Sequence, residues 1–329
     1  MPRRTPTGPA SSESVAHPAQ HRRRRILLTG ASGFVGRELV RQLLAEGWEI
    51  VAVARRLCPE LTRPGVVQVA ADVAGDGWQR WCEGCHAAIN LVGIIREVRR
   101  SGATFERLHH IAAAKVVAAC QNNGIRRLLQ MSALGTRTTA IAEYHRSKWR
   151  GEEAVRASGL DWTIFRPALI HGPASGFETE LAPRLRSLPF FPVFGDGTYK
   201  MQPIAVSEVA HAFVAALDRP AAIGQCYDLG GPEALTWDEL LARMMTTLGV
   251  HRPLVHIPLG FARPLVSLLQ HLPGAPVTRD QLTMLIEGST CDTAAAALAF
   301  DIPQIRYQGP TWMRLVTARP STDVTRPLR

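Results

Sequence analysis

The stretch Ile26-Leu27-Leu28-Thr29-Gly30-Ala31-Ser32-Gly33-Phe34-Val35-Gly36 decides the fold of this 329-residue chain. Ile26 to Leu28 form a short apolar run of the kind buried on both faces of a parallel sheet. From Arg37 to Glu46, the residues Val40, Leu43 and Leu44 recur at helical spacing. Glycines 30, 33 and 36 fall where strand turns into helix. There they let the backbone turn tightly, approach a pyrophosphate closely and lay the helix against the sheet. The free N–H groups of the first helical turn then point at the anion. With a strand before it and a helix after it, the triplet reads as a dinucleotide cradle.

Working outward, Glu49 to Ala54, Val66 to Ala70, Ala87 to Val92 and Arg127 to Met131 read as further strands, and Phe105 to Gln121 as a long helix. Strands alternating with helices imply a doubly wound, Rossmann-type parallel α/β sheet with right-handed crossovers. Beyond Pro167 a series of prolines cuts the chain into shorter pieces, with helices over Val206 to Leu217 and Thr236 to Leu248 and a strand over Gln225 to Leu229. The expected division is a disordered basic extension (1–24), a nucleotide-binding domain (25–170), a smaller C-terminal α/β lobe (171–310) and a flexible tail (311–329). Whether parts of the lobe return to the sheet is left open.

The second strand ends in Arg55-Arg56 with no carboxylate, where an acidic residue would hold a ribose 2′-hydroxyl and an arginine accommodates a 2′-phosphate. NADP(H) is therefore favoured over NAD(H). The third strand runs into Asp72-Val73, with Asp72 either an acceptor for an adenine amino group or a helix N-cap. Gly93, after Leu91 and Val92, sits where backbone must pass close to a nucleotide.

Tyr144-His145-Arg146-Ser147-Lys148 carries the chemistry. Positions four apart share a helix face, so the Lys148 ammonium lies beside the Tyr144 phenol. A neighbouring cation favours phenolate, predicting a tyrosine pKa below its usual ~10 and suited to acid–base work. The chain has 38 Lys and Arg residues, and only Lys115, Lys148 and Lys200 are lysines, so a lysine here is a pointed choice.

The formal charge of +10 does not read as nucleic-acid binding. Six of the arginines lie in residues 1–25 and four in 311–329, leaving the body nearly neutral. The first segment has no apolar core of signal-peptide length, and no uncharged run is long enough to span a membrane. A cytoplasmic location follows, possible at the membrane surface, while the Arg- and Ser-rich, acid-poor start keeps an organelle matrix as the second reading. Cys82-Glu83-Gly84-Cys85-His86 spells a haem-attachment motif by chance, since it runs straight into a strand. No metal site is expected, and His251, His256 and His271 read as surface or packed residues. Phe261, Leu265, Leu268 and Leu269 form an apolar helical stripe read as core, with a membrane- or partner-facing surface as the alternative.

Thr-Gly-x-x-Gly-x-x-Gly, Ala71-Asp72-Val73, Asn90-Leu91-Val92-Gly93, Tyr-x-x-x-Lys and Arg166-Pro167-Ala168-Leu169-Ile170-His171-Gly172 together resemble an extended or atypical short-chain dehydrogenase/reductase. More narrowly, Thr104-Phe105-Glu106, Met131-Ser132-Ala133-Leu134-Gly135 and Gln202-Pro203-Ile204 resemble the group related to the nucleotide-binding accessory subunit of respiratory complex I. The resemblance spans roughly residues 25–300. It implies a dinucleotide on Gly30, Ser32, Gly33, Phe34, Val35 and Gly36, with Arg55 and Arg56 at the 2′ position and Asp72 and Val73 at adenine. Leu91, Val92 and Gly93 would line the crevice, and Pro167 and Ile170 would flank the nicotinamide. Tyr144 would exchange the proton and Lys148 would activate it and hold ribose. The family's serine run is reduced to Ser132-Ala133-Leu134, so the hydroxyl facing the reacting oxygen falls to Ser132 or Thr136. The implied activity is an oxidoreductase or epimerase-like reaction on a carbonyl or quinone-like small molecule. A nucleotide-binding accessory protein beside a respiratory complex is the other implied role.

Overall fold

The computed structural model describes residues 24–270 and 277–313. The basic extension before Arg24, the tail beyond residue 313 and His271 lie outside the described residues. The first half is an alternation of β1 (Arg25–Thr29), α1 (Phe34–Ala45), β2 (Glu49–Ala54), β3 (Val66–Ala70), β4 (Ala87–Asn90), α2 (Ala112–Asn122), β5 (Arg127–Met131), α3 (Glu143–Arg156) and β6 (Asp161–Pro167). Then come β7 (Ile170–His171), α4 (Gly176–Ser187), β8 (Phe191–Phe194), β9 (Lys200–Met201), β10 (Ile204–Ala205), α5 (Val206–Leu217) and β11 (Gln225–Leu229). The chain continues with β12 (Leu235–Thr236), α6 (Trp237–Leu248), β13 (Leu254–Ile257), α7 (Leu259–Leu269), α8 (Arg279–Glu287) and α9 (Ala294–Phe300).

Seven strands form one sheet in the order β11-β6-β5-β4-β1-β2-β3, with every pair parallel. Neighbours inside this sheet are buried on both faces, which is why β1 reads as an unbroken apolar run. Ile26 and Leu28 face one core with α1, α5 and α9, whereas Leu27 faces a second with α2 and α3. The chain runs β1, β2, β3 to one side and β4, β5, β6 to the other, so the direction of winding reverses between β1 and β4. A crevice opens outside the carboxyl ends of the strands at such a reversal.

Part of the second half belongs to this sheet. β11 extends its edge beside β6, and α5 packs against α1 with Val209, Phe213 and Ala216 in the first core. The remaining lobe has its own core, formed by Leu185, Val193, Trp237, Leu240, Met244 and Tyr307. Cys82 and Cys85 pack in the second sheet core, where burial pushes both thiols up, to about 12 and about 11. Among the described residues no cluster of metal-ligating side chains occurs, and no helix is long and apolar enough to cross a membrane.

Two local expectations are corrected. The helix expected from Phe105 to Gln121 begins as a π-helix, Glu106–Ile111, before becoming α2. The stripe on α7 is not core: Ala262 and Val266 are its buried face, while Phe261, Leu265 and Leu268 are 74%, 46% and 73% exposed. Helical spacing marks an apolar face without saying what covers it.

Candidate active site

The crevice floor is built by glycine. Gly30 has φ +78°, and a side chain there would come 3.1 Å from the Leu91 carbonyl carbon and 3.2 Å from the Val92 nitrogen. At Gly36 a Cβ would stand 2.6 Å from the Ala31 carbonyl oxygen, so α1 lies as close to the turn as backbone allows. Gly33 is the N-cap residue of α1, extended and exposed, with no capping side chain and no acidic residue in the first turn. The positive end of α1 is thus uncompensated and its first amides face the crevice, as an anion requires. These features fit a dinucleotide diphosphate, which the main chain of Ser32 to Gly36 would hold. The side chains of Val35 and Leu91 belong to the first core, while Ser32 and Phe34 are half-buried at the rim.

A buried chain of hydrogen bonds ties the strand ends together. Thr29 Oγ1 donates to Asn90 Oδ1 at 2.6 Å, Asn90 Nδ2 to Gln130 Oε1 at 2.9 Å, and Gln130 Nε2 to the Met131 carbonyl at 3.0 Å. Asn90 Oδ1 also accepts from the Val92 N–H at 3.2 Å, which ends β4 at Asn90, two residues short of the expected Val92.

At the adenine side, Arg55 and Arg56 are exposed just past β2. Asp72 is already engaged: Oδ2 accepts from Arg107 Nη2 at 2.6 Å and Oδ1 from the Ala74 N–H at 3.0 Å. Burial raises its pKa, but Arg107 and the Ala74 amide outweigh that and leave it below the ordinary value. Val73 does not join the crevice. Its side chain is buried in the second core around Trp78, and its carbonyl accepts from Trp78 Nε1 at 3.2 Å.

The residues expected to handle the proton lie at the ends of β4 and β5. Lys148 is buried, its Nζ 3.4 Å from the Met131 carbonyl and 2.7 Å from where a Gly93 side chain would begin. His109 Nε2 is 3.5 Å from that same point. The half-buried Tyr144 ring stands edge-on to His109 at 5.3 Å and to Phe105 at 5.8 Å. Ser147 Oγ donates to the Tyr144 carbonyl at 2.8 Å and accepts from His109 Nδ1 at 2.8 Å, and His109 Nε2 accepts the Ile94 N–H at 3.1 Å. This assignment satisfies all three groups with a neutral imidazole. Burial, helped by the Lys148 charge, holds the His109 pKa down at about 2.

The expected phenolate is corrected here. Burial pushes Tyr144 up to about 12 rather than down. The same burial lowers Lys148 to about 8, partly offset by Glu152. Desolvation governs both groups, so the phenol keeps its proton at neutral pH. Ser132 and Thr136 are both buried at the end of β5, Ser132 Oγ donating to Thr136 Oγ1 at 3.4 Å. Pro167 is buried at the end of β6, its carbonyl accepting from the Leu134 N–H at 3.0 Å, and Ile170 in β7 packs at the edge of the first core.

Sequence reading missed His109 and Arg107, because their partners lie 38 and 35 residues away. His256 is a surface residue, its Nε2 2.8 Å from Asp238 Oδ2.

With this geometry in place, residues 30–220 match the family model described as NAD(P)H-binding. The chain belongs to that family. It is 32% identical over 250 residues to the NADH dehydrogenase [ubiquinone] 1 alpha subcomplex subunit 9 of Arabidopsis thaliana, covering 72% of this chain and 61% of the relative. The chain thus spans less than two thirds of that subunit's length. It is 31% identical over 258 residues to the (4-alkanoyl-5-oxo-2,5-dihydrofuran-3-yl)methyl phosphate reductase of Streptomyces griseus, covering 75% and 82% of the two chains. The NAD complex of a UDP-glucuronic acid 4-epimerase from Bacillus cereus shares the fold, with TM-score 0.69 at 15% identity over 89% of this chain and 99% of that one. The fold is Rossmann-like, shared with NAD-bound epimerases, and the protein is a member of the NAD(P)H-binding family with reductase and dehydrogenase-subunit relatives.

Proposed function

We propose that this protein is an NADP(H)-dependent reductase of a small carbonyl compound. The observation that carries it is the placing of a buried ammonium (Lys148) and a neutral imidazole (His109) against Gly93, beside the glycine cradle, with a protonated phenol (Tyr144) edge-on to that imidazole. A bound nicotinamide supplies the two-electron reductant. Ser32 to Gly36 hold the diphosphate through main-chain amides, and Arg55 meets the 2′-phosphate. Lys148 holds ribose hydroxyls and, while charged, eases proton release from the Tyr144 hydroxyl to the nascent alkoxide oxygen. A phenol that stays protonated at neutral pH suits an acid, so the reductive direction is the favoured one. Ser132 and Thr136 form the hydroxyl pair that steadies the carbonyl oxygen. Purified protein is expected to consume NADPH with a carbonyl or quinone-like acceptor, and Tyr144→Phe is expected to cost at least ~10²-fold in rate. An unchanged rate removes Tyr144 from the reaction.

The likeness to a subunit of a respiratory dehydrogenase favours a second reading, in which the nucleotide is a fixed structural element of a complex at the membrane in the cytoplasm or an organelle matrix. NADPH that co-purifies, neither exchanges nor oxidises, and is recovered with a membrane complex supports this role over turnover.

A further inference from the structure

Outside the crevice, α7, α8 and the segment entering α3 line an open cavity of about 440 Å³. That is within the range of small-molecule sites. Its walls include Ile141, Pro264, Leu282 and Ile286 beside the hydroxyl residues Ser267 and Thr283, and it carries two guanidinium groups, Arg263 and Arg279. Glu287 also lines it, but its carboxylate is held by Arg137 Nη2 at 3.4 Å. Among the described residues neither Arg263 nor Arg279 has a carboxylate partner, which leaves two cations over apolar walls. Ile141 lies three residues before Tyr144, a separation of at most ~10 Å along the chain.

We infer that this cavity takes the anionic end of an amphiphilic substrate, a carboxylate or phosphate monoester on an alkyl chain, with the two arginines on the anion and the apolar walls on the chain. Calling the ligand a substrate rests on the reductase reading; the binding site itself does not. Arginine forks match the planar oxygens of such groups, and charge-assisted contacts of this kind are the stronger hydrogen bonds. A neutral amphiphile leaves both guanidinium groups without an anion. A small anion leaves the apolar walls uncovered.

The test is calorimetric titration of the full chain, saturated with NADPH, using octyl phosphate, octanol and ethyl phosphate as probes. Octyl phosphate is expected to bind at least about tenfold more tightly than either of the others. Arg263→Gln combined with Arg279→Gln is expected to weaken octyl phosphate about a hundredfold while leaving NADPH affinity unchanged. Both side chains are exposed, so the variant is expected to fold, and its NADPH affinity verifies that it has. Octanol binding as tightly as octyl phosphate, ethyl phosphate binding as tightly, or an unaltered affinity in the double variant each overturns the inference. Octyl phosphate bound as expected, with no carbonyl-bearing analogue ever turned over, sinks the reductase reading and leaves the site standing.

Discussion

The two ends of α3 bury charge in opposite ways. Toward its carboxyl end, Glu152 has a fully buried side chain, yet both its oxygens are satisfied. Oε2 accepts from Arg156 at 2.7 Å and Arg166 at 2.6 Å, and Oε1 accepts from Arg166 at 2.8 Å. The Glu152 hydrogen bond pushes Arg166 further up, and both guanidinium groups lie over the Trp149 ring, at 4.7 and 5.9 Å. About one turn earlier, Lys148 is buried with, among the described residues, only a long contact to a carbonyl, and Tyr144, a further turn back, is desolvated. The first arrangement is complete and holds the helix to β6. The second is incomplete, and its perturbed pKa values mark the place where a ligand finishes the network. Position on one helix is shared; satisfaction separates scaffold from site.

Removing Glu152 gives the larger effect. Glu152→Ala leaves the partly buried Arg166 without its carboxylate and Arg156 with Glu153 alone, and is expected to destabilise the fold by about 3 kcal/mol. Thermal or urea unfolding reads this directly, and an unchanged midpoint breaks the contrast. Lys148→Met is expected to do the reverse, raising stability at pH 7 by about 1–2 kcal/mol while turnover is lost. The sign follows from the lowered pKa of Lys148. Between about pH 8 and the ordinary lysine value of ~10.4 the unfolded chain binds more protons at this residue, so its contribution to stability rises with pH. The advantage of the methionine variant therefore shrinks across that window. A variant less stable than the wild type at pH 7 makes Lys148 a structural residue.

The sequence was informative wherever the determinants are local. Ile26-Leu27-Leu28, the glycines after them and the alternation as far as β5 follow from burial on two faces and from one turn, so the expected strands at Glu49–Ala54, Val66–Ala70 and Arg127–Met131 match residue for residue. What escaped depends on partners far along the chain. The engagement of Asp72 by Arg107, the burial of Val73 against Trp78 and the π-helical start that carries His109 are decided by packing across the crevice. The Tyr144 pKa was misjudged for a related reason: spacing reveals that a lysine is near, whereas burial of both groups, which outweighs it, is a property of the assembled fold. The α7 stripe shows the same limit, being regular in spacing and open in place.

The central claim is that the uncompensated start of α1 grips a redox nucleotide beside Tyr144, and Gly33→Asp tests it most directly. Gly33 is exposed and extended, and aspartate is a favoured N-cap, so although its Cβ would stand 3.2 Å from the Gly30 carbonyl oxygen the variant is expected to fold, which its melting curve checks. Its carboxylate occupies the anion's place, so NADPH affinity measured by fluorescence titration is expected to fall at least about a hundredfold, the scale of like-charge repulsion at ~4 Å in a protein crevice. A folded Gly33→Asp protein that binds NADPH as tightly as the wild type contradicts the account.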